Sequence, residues 1–294
     1  MDNTLQQAIV RARERLVRAG ITERDADLDA RLLARHVLGW DAARLLVALR
    51  EPPPALFPAA YEDVIARREW REPVAYITGT REFWGLPFDV TPDVLVPRPE
   101  TELLVEMAVE ILARSPKPVA WSPLVIDVAT GSGCIAIAVA HSCPEVHVIA
   151  TDCSAAALGV AQRNAVQLGV ADRIRFLETD LLAGVQGQVD LVVSNPPYVP
   201  DEDAASLAPE VRDFEPHTAL FGGTDGLAII ERLLPQALDR IRPGGYLLFE
   251  CGEGQASAIE ELISREPACT IIDIRPDLQG IPRAVLVQVA EGHS

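Results

Sequence analysis

Leu124-Val125-Ile126-Asp127-Val128-Ala129-Thr130-Gly131-Ser132-Gly133 joins a short apolar run to a turn punctuated by two glycines, and residues 133–141 then continue with helical spacing. Strand, glycine turn and helix start in that order leave backbone N–H groups free at a helix N-terminus, where a ligand can approach the chain closely. The next apolar run, 146–150, leads to Asp152, 19 residues past Gly133. An acid at that distance, closing the second strand of an open α/β sheet, is placed to accept both hydroxyls of a ribose. No glycine occupies the third position of G-x-G-x-x-G, which fits a dinucleotide fingerprint poorly, and the missing phosphate-loop lysine removes an ATPase.

The pattern alternates on from this unit. Residues 174–177, 191–194 and 246–249 are further apolar runs of buried-strand type, with helical periodicity at 154–168 and 224–241. Such alternation predicts βαβ units and a parallel sheet covered on both faces. Residues 270–274 and 284–289 flank a loop containing Pro and Gly, which predicts a terminal antiparallel hairpin. Upstream, residues 1–73 read as a small helical domain: Leu5, Ala8, Ile9, Ala12 and Leu16 recur at three- and four-residue spacing. Further helical runs at 26–38, 41–49 and 61–70 are separated by Gly39 and by Pro52-Pro53-Pro54. Between the two parts, 74–96 reads as a hairpin and linker, with Val74-Ala75-Tyr76-Ile77 and Phe83-Trp84 flanking a turn at Thr78-Gly79-Thr80. The body follows over 97–294. The expected fold is α/β, a Rossmann-like sheet ending in an antiparallel hairpin and preceded by a small all-helical domain.

Asn195-Pro196-Pro197-Tyr198 follows the run 191–194 and so falls at the carboxyl end of a strand, beside the nucleotide crevice. Two consecutive prolines cannot extend a central strand, so a purely structural role fits poorly. Amide and aromatic amine nitrogens are weak nucleophiles because the lone pair is delocalised. The Asn195 side-chain oxygen and the Pro196 carbonyl are each suited to accept one N–H of an NH₂ group, which fixes the nitrogen and raises its electron density. Tyr198 offers a flat face for a planar amide or base. This chemistry is positioning and polarisation, with no strong base.

The two motifs together resemble those of class I S-adenosylmethionine-dependent methyltransferases acting on exocyclic or amide nitrogens. Residues 127–133 are similar to their Asp-x-Gly-x-Gly-x-Gly loop, with Ala129 in place of the first glycine. Arg71-Glu72-Pro73-Val74-Ala75-Tyr76-Ile77-Thr78-Gly79, Phe83-Trp84-Gly85 and Val96-Pro97-Arg98-Pro99-Glu100-Thr101-Glu102 narrow the match. With Phe214-Glu215-Pro216, Ala219-Leu220-Phe221-Gly222-Gly223 and Asp225-Gly226-Leu227, the chain resembles the bacterial peptide chain release factor glutamine methyltransferases over nearly its whole length. The resemblance implies methyl transfer from S-adenosylmethionine to the side-chain amide nitrogen of the glutamine in the Gly-Gly-Gln loop of a class 1 peptide chain release factor. It implies that Ala129, Thr130, Gly131, Ser132 and Gly133 contact the methionine moiety, Asp152 the ribose, and Asp180 and Leu181 the adenine. Asn195, also beside the cofactor, would hold the glutamine amide together with Pro196, Pro197 and Tyr198, with Asn195, Pro196 and Tyr198 as the catalytic set. The helical domain would recognise the protein substrate. Ala129 is expected to crowd the cofactor loop.

Composition bounds these readings. The chain has 294 residues, 49 % of them hydrophobic, and a formal charge of −17. Residues 1–80 balance 12 acids against 12 bases, so 81–294, with 31 and 14, carry the whole excess. An acidic body argues against stable nucleic-acid binding, which runs on neutralising phosphates. Methylation of a nucleic-acid amine or of a ribosomal-protein glutamine stays open as an alternative, as does a non-catalytic binding protein on the same fold. Five cysteines without CxxC spacing, and histidines without ligand spacing, predict neither disulfides nor a metal site. No signal peptide or membrane span is visible, and Asp2 and Glu14 argue against a presequence, so the expected compartment is the cytoplasm. Arg98, Glu100 and Glu102 either fold over the site or cap the following helix, and Glu250 is expected to serve structure near the crevice.

Overall fold

The computed structural model of the chain describes residues 4–114 and 122–291; Asp2 lies outside them. The described residues divide into two compact units, one of 4–80 with Ala208–Phe214, the other of 81–114, 122–207 and 215–291.

The first unit is helical. α1 (Leu5–Arg18) starts at Thr4, whose side chain accepts from the Gln7 amide N–H while the Gln7 side chain answers the Thr4 N–H. α2 (Glu23–Leu38) is capped by Thr22 and stopped by Gly39 in the left-handed region. α3 (Ala42–Ala48), capped by Asp41, and α4 (Phe57–Glu69) lie on either side of the three prolines. Their apolar stripes close on Leu5, Leu16, Leu33, Phe57 and Ile65. Where the sequence predicts the first strand of a hairpin, the structure has a helix, α5 (Val74–Thr78), with Pro73 at its N-cap. The Thr78 hydroxyl bonds back to the Val74 carbonyl, and Ala75, Tyr76 and Ile77 are all buried. Five residues are too few for a two-residue and a 3.6-residue period to be told apart, and burial decided for the helix.

The hairpin itself lies one element further on, between β1 (Thr80–Phe83) and β2 (Leu86–Asp89). Trp84 and Gly85 make its turn with φ of 56° and 71°, the pair of positive angles a two-residue hairpin turn demands. The chain then builds the sheet: α6 (Glu102–Arg114), β3 (Leu124–Val128), α7 (Cys134–Ser142), β4 (His147–Asp152), α8 (Ala155–Gln167), β5 (Ile174–Glu178) and β6 (Val189–Ser194). α9 (Pro209–Phe214) belongs to the helical unit, after which α10 (Ala228–Arg240), β7 (Ile241–Glu250), α11 (Ala256–Ser264), β8 (Cys269–Pro276) and β9 (Pro282–Val289) complete the body.

Among the described residues the main sheet has seven strands in the order β5-β4-β3-β6-β7-β9-β8. The five from β5 to β7 are parallel, and β9 and β8 pair antiparallel, as the sequence predicts. Alternate strand residues enter two separate cores. Val125, Leu191, Val193 and Leu248 pack with Leu104, Met107 and Ile137, whereas Ile126, Val192, Leu247 and Phe249 pack with Ile230, Leu233 and Ile259. Both faces are therefore dry, which is why these strands read as unbroken apolar runs. The chain leaves β3 toward β4 on one side and returns through β6 on the other. Strand order thus reverses between β3 and β6, and the crevice at their carboxyl ends is where such sheets bind ligands.

Candidate active site

Register sets the site. Val128, Ser194 and Phe249 are level across β3, β6 and β7. The next residue of each strand, Ala129, Asn195 and Glu250, therefore emerges side by side at the crevice. The Ser194 hydroxyl donates to the Val128 carbonyl at 2.8 Å and ties the two central strand ends together.

The loop after β3 turns sharply because Ala129, Gly131 and Gly133 have φ of 57°, 55° and 81°. A Cβ placed on Gly131 would meet nothing within 4 Å, so this glycine is required by conformation and leaves its face open to the cleft. Gly133 differs: a Cβ there would approach the Ala161 and Ile137 side chains at 3.0 Å, so it packs the start of α7 against α8, behind the loop. Asp127, fully buried beneath, accepts from the Thr130 hydroxyl at 2.6 Å and the Ala136 N–H at 3.1 Å, and burial pushes its carboxyl up to about 7. Asp152, closing β4, accepts from the N–H groups of Gly131 and Ser154, both at 2.9 Å. Burial raises its pKa while these bonds oppose the rise. Each carboxylate oxygen keeps a second lone pair for a hydroxyl.

A cleft runs along these ends, lined by Ala129 to Ser132, Asp152, Asp180, Leu181, Asn195 and Pro197, with Val94, Leu95 and Ile229 as apolar walls. Of the residues the sequence singles out, these come together. Leu181 is itself left-handed (φ 52°) and buried, and the exposed Asp180 is ion-paired with Arg232. The residues fit a nucleoside with an amino-acid tail: an open, left-handed loop edge at Gly131, an acid one strand over, and an apolar slot beyond it.

Asn195 is half-buried, and its Nδ2 donates to the Thr101 hydroxyl at 3.0 Å. Its Oδ1 and the Pro196 carbonyl accept no hydrogen bond from any described residue. Tyr198 points elsewhere, its hydroxyl donating to Glu250 Oε1 at 2.9 Å. Burial and the neighbouring Glu250 carboxyl raise the pKa of that phenol. The motif's backbone is gripped from behind. Gln255 Nε2 donates to the Tyr198 carbonyl at 2.9 Å, and Val199 exchanges backbone bonds with Leu220 and Gly222. Gly222 and Gly226 are glycines because a Cβ on either would collide with the Pro197 or Tyr198 carbonyl. The stretch 221–226 is thus read structurally: it is the close-packed backing of residues 195–198.

Four further residues build the site: the sequence places Arg98 and Glu250 near it, and carries Thr101 and Glu215 only within the motifs of the family resemblance. Thr101 and Glu250, 2 % and 1 % exposed, hydrogen-bond to each other at 2.7 Å. Arg98 Nη2 lies 2.9 and 2.7 Å from the two oxygens of buried Glu215. Glu250 carries the same signal as Asp152, an acid closing an apolar run, but the sequence does not say that its strand lies beside β6. Within 98–102, Arg98 lines the cleft, whereas the Glu102 carboxylate accepts from the Trp84 N–H. Among the described residues, no group of His, Cys, Asp and Glu is arranged to hold a metal, and no helix is long and apolar enough to cross a membrane.

Methyltransferases are among the solved structures that share this fold. The chain is 18 % identical to a methyltransferase from Pyrococcus furiosus, with a TM-score of 0.53, covering 79 % of this chain and 100 % of that one. It is 19 % identical to the N-terminal domain of human METTL16 in complex with SAH, with a TM-score of 0.52, covering 79 % and 84 %. The fold is that of the methyltransferases. Residues 7–79 match the PrmC N-terminal domain and 105–210 the methyltransferase small domain. The release factor glutamine methyltransferase of Bradyrhizobium diazoefficiens is 44 % identical over 267 residues, 89 % of this chain and 87 % of that protein. That of Moorella thermoacetica is 41 % identical over 291 residues, 96 % and 98 %. The chain belongs to the release factor glutamine methyltransferase family.

Proposed function

We propose that the chain methylates the side-chain amide nitrogen of a glutamine, that of the Gly-Gly-Gln loop of a class 1 peptide chain release factor, with S-adenosylmethionine as donor. The observation that carries this is the pair of free acceptors, Asn195 Oδ1 and the Pro196 carbonyl, at the end of β6 beside the Ala129–Gly133 loop. S-adenosylmethionine supplies an electrophilic methyl carbon on a sulfonium. Ala129 to Ser132 and Asp152 hold its amino-acid and ribose parts, with Gly133 packing the loop from behind, and Asp180 and Leu181 border its adenine. An amide NH₂ that gives one N–H to each acceptor is locked in place with its electron density raised. The acceptors also stabilise the positive charge that grows on nitrogen as the new N–C bond forms and the S–C bond breaks, its electron pair staying on sulfur as a neutral thioether. The surplus N–H proton is then acidic enough to pass to water, so no side-chain base takes part.

Pro197 shapes the wall beside the amide, whereas the Tyr198 hydroxyl is turned to Glu250 and does not face it. We assign the helical unit to recognition of the protein substrate: Val47, Leu56 and Trp70 on it expose more than 80 % of their surface. The acidic body of residues 81–294 supports a protein substrate over a nucleic acid, and a translation factor as substrate places the reaction in the cytoplasm. Transfer of labelled methyl from S-adenosylmethionine to purified release factor tests the reading. Label on the glutamine of that loop is expected; cofactor binding without label on the factor overturns it.

A further inference from the structure

Thr101 lines the same cleft as Asn195 and meets its NH₂ end, while the buried Glu250 lies beyond it. Glu250 leaves β7 level with Asn195, and Thr101 ends the short 3₁₀ turn Pro99–Thr101 that precedes α6. The Thr101 hydroxyl oxygen is 2.7 Å from Glu250 Oε2 and 3.0 Å from Asn195 Nδ2, and the other Glu250 oxygen takes the Tyr198 hydroxyl at 2.9 Å. Donors and acceptors along this chain must match. A carboxylate carries lone pairs only, so the Thr101 proton goes to Glu250. The Thr101 oxygen is then left to accept, and only the NH₂ end of Asn195 can give it a proton. The two ends of a carboxamide are nearly the same size, so shape alone does not choose between them. A reversed Asn195 would meet an incoming amide N–H with a donor of its own.

We propose that Thr101 and Glu250 are positioning residues that fix which end of the Asn195 carboxamide faces the cleft, and so create the acceptor that holds the substrate nitrogen. This rests on the reading that Asn195 receives an amide N–H. Burial pushes the Glu250 carboxyl up; the Thr101 and Tyr198 hydroxyls and the Arg283 guanidinium oppose that by favouring the anion, and Glu100 adds to the rise. One hydroxyl on each oxygen is the arrangement that suits the anion.

The test compares wild type with Thr101→Val, which keeps the shape and loses the hydroxyl, and Thr101→Ser, which keeps the hydroxyl. Steady-state transfer to release factor gives kcat and KM, and calorimetry gives the Kd of S-adenosylmethionine. Thr101→Val is expected to lower kcat by about 30-fold, with KM and Kd within about threefold of wild type, and Thr101→Ser to stay within about threefold in kcat. Thr101→Ala is carried alongside with the same expectation as Thr101→Val, so that a folding failure of one leaves the other to decide. Wild-type kcat in the hydroxyl-free variants overturns the proposal. So does an equal loss in Thr101→Ser, which assigns the effect to packing, and so does a matching loss of cofactor affinity. A wild-type enzyme that binds cofactor and labels no glutamine is seen before any variant is compared, and it overturns the substrate reading instead.

Discussion

Asn195 owes its position to the level strand ends and its chemical polarity to Thr101, and the two contributions separate by mutation. Asn195→Ala removes one of the two acceptors proposed for the substrate nitrogen without touching the loop proposed to hold the cofactor. We expect transfer to fall by about 10² to 10³, the usual cost of one polarising group, while the Kd for S-adenosylmethionine in calorimetry stays within about threefold. Parallel loss of both quantities would remove Asn195 from the assigned role. Ala129 raises a different question, because it holds a left-handed backbone angle at the position where the resembled motif has glycine. Ala129→Gly relieves about 1–2 kcal/mol of steric cost and gives back about 0.5–1 kcal/mol through the freer unfolded chain. The expected net gain is about 1 kcal/mol in urea denaturation. A measured loss would show that the Ala129 methyl makes packing contacts worth more than the strain. Asn195 and Asp152 were legible because each closes an apolar run. The contact of Thr101 with Glu250 was not: the two are 149 residues apart, and only the packing of the 3₁₀ turn Pro99–Thr101 against the end of β7 makes them neighbours.

Elements were read well where they are long and poorly where they are short. The parallel strands announce themselves because both faces of the sheet are buried, and the terminal hairpin β8–β9 because a Pro- and Gly-containing loop separates two apolar runs. The segment 74–83 misleads: Val74, Tyr76 and Ile77 favour strands by type, yet they form α5, and the hairpin turn is Trp84-Gly85. Helix α9 shows what propensity leaves out altogether. It stands in sequence between the Asn195–Tyr198 motif and the glycines that back it, yet it folds as part of the helical unit. Glu210 holds it there, accepting from Arg68 at 2.8 Å and Arg71 at 2.7 Å, with Arg68 also bound to Asp29 at 2.7 Å. Removing the partner of a fully buried cation costs about 3–5 kcal/mol. Arg68 keeps Asp29 and Arg71 keeps the Gly20 carbonyl, so Glu210→Ala is expected to cost about 2 kcal/mol in urea denaturation. A loss below about 0.5 kcal/mol would mean that α9 is held by something other than this cluster.

At the scale of the whole molecule, the buried acids of the site make stability depend on pH in an uncommon direction. Burial raises Asp127 from 3.8 to about 7, so the folded state holds a proton that the unfolded state releases between those values. Its contribution is complete below about pH 4 and is lost as pH rises through 7. Glu62 and Glu110, whose ion pairs hold them low, titrate below that window and do not offset it. We expect stability in urea to fall by about 2–3 kcal/mol between pH 5 and pH 7.5, and Asp127→Asn to flatten that slope. An unchanged slope in the variant would move the effect to other groups. The amino-acid sequence by itself determined the sheet, the glycine loop, the acid that follows it and the Asn-Pro-Pro-Tyr motif. Each of these is a local pattern of burial period, backbone freedom or donor and acceptor type. Only the tertiary structure decided that Ala129, Asn195 and Glu250 emerge level, that Thr101 hydrogen-bonds the asparagine, and that α9 joins the helical unit. Those are agreements between segments far apart in the chain, set by strand register and close packing, and neither leaves a periodic trace in the sequence.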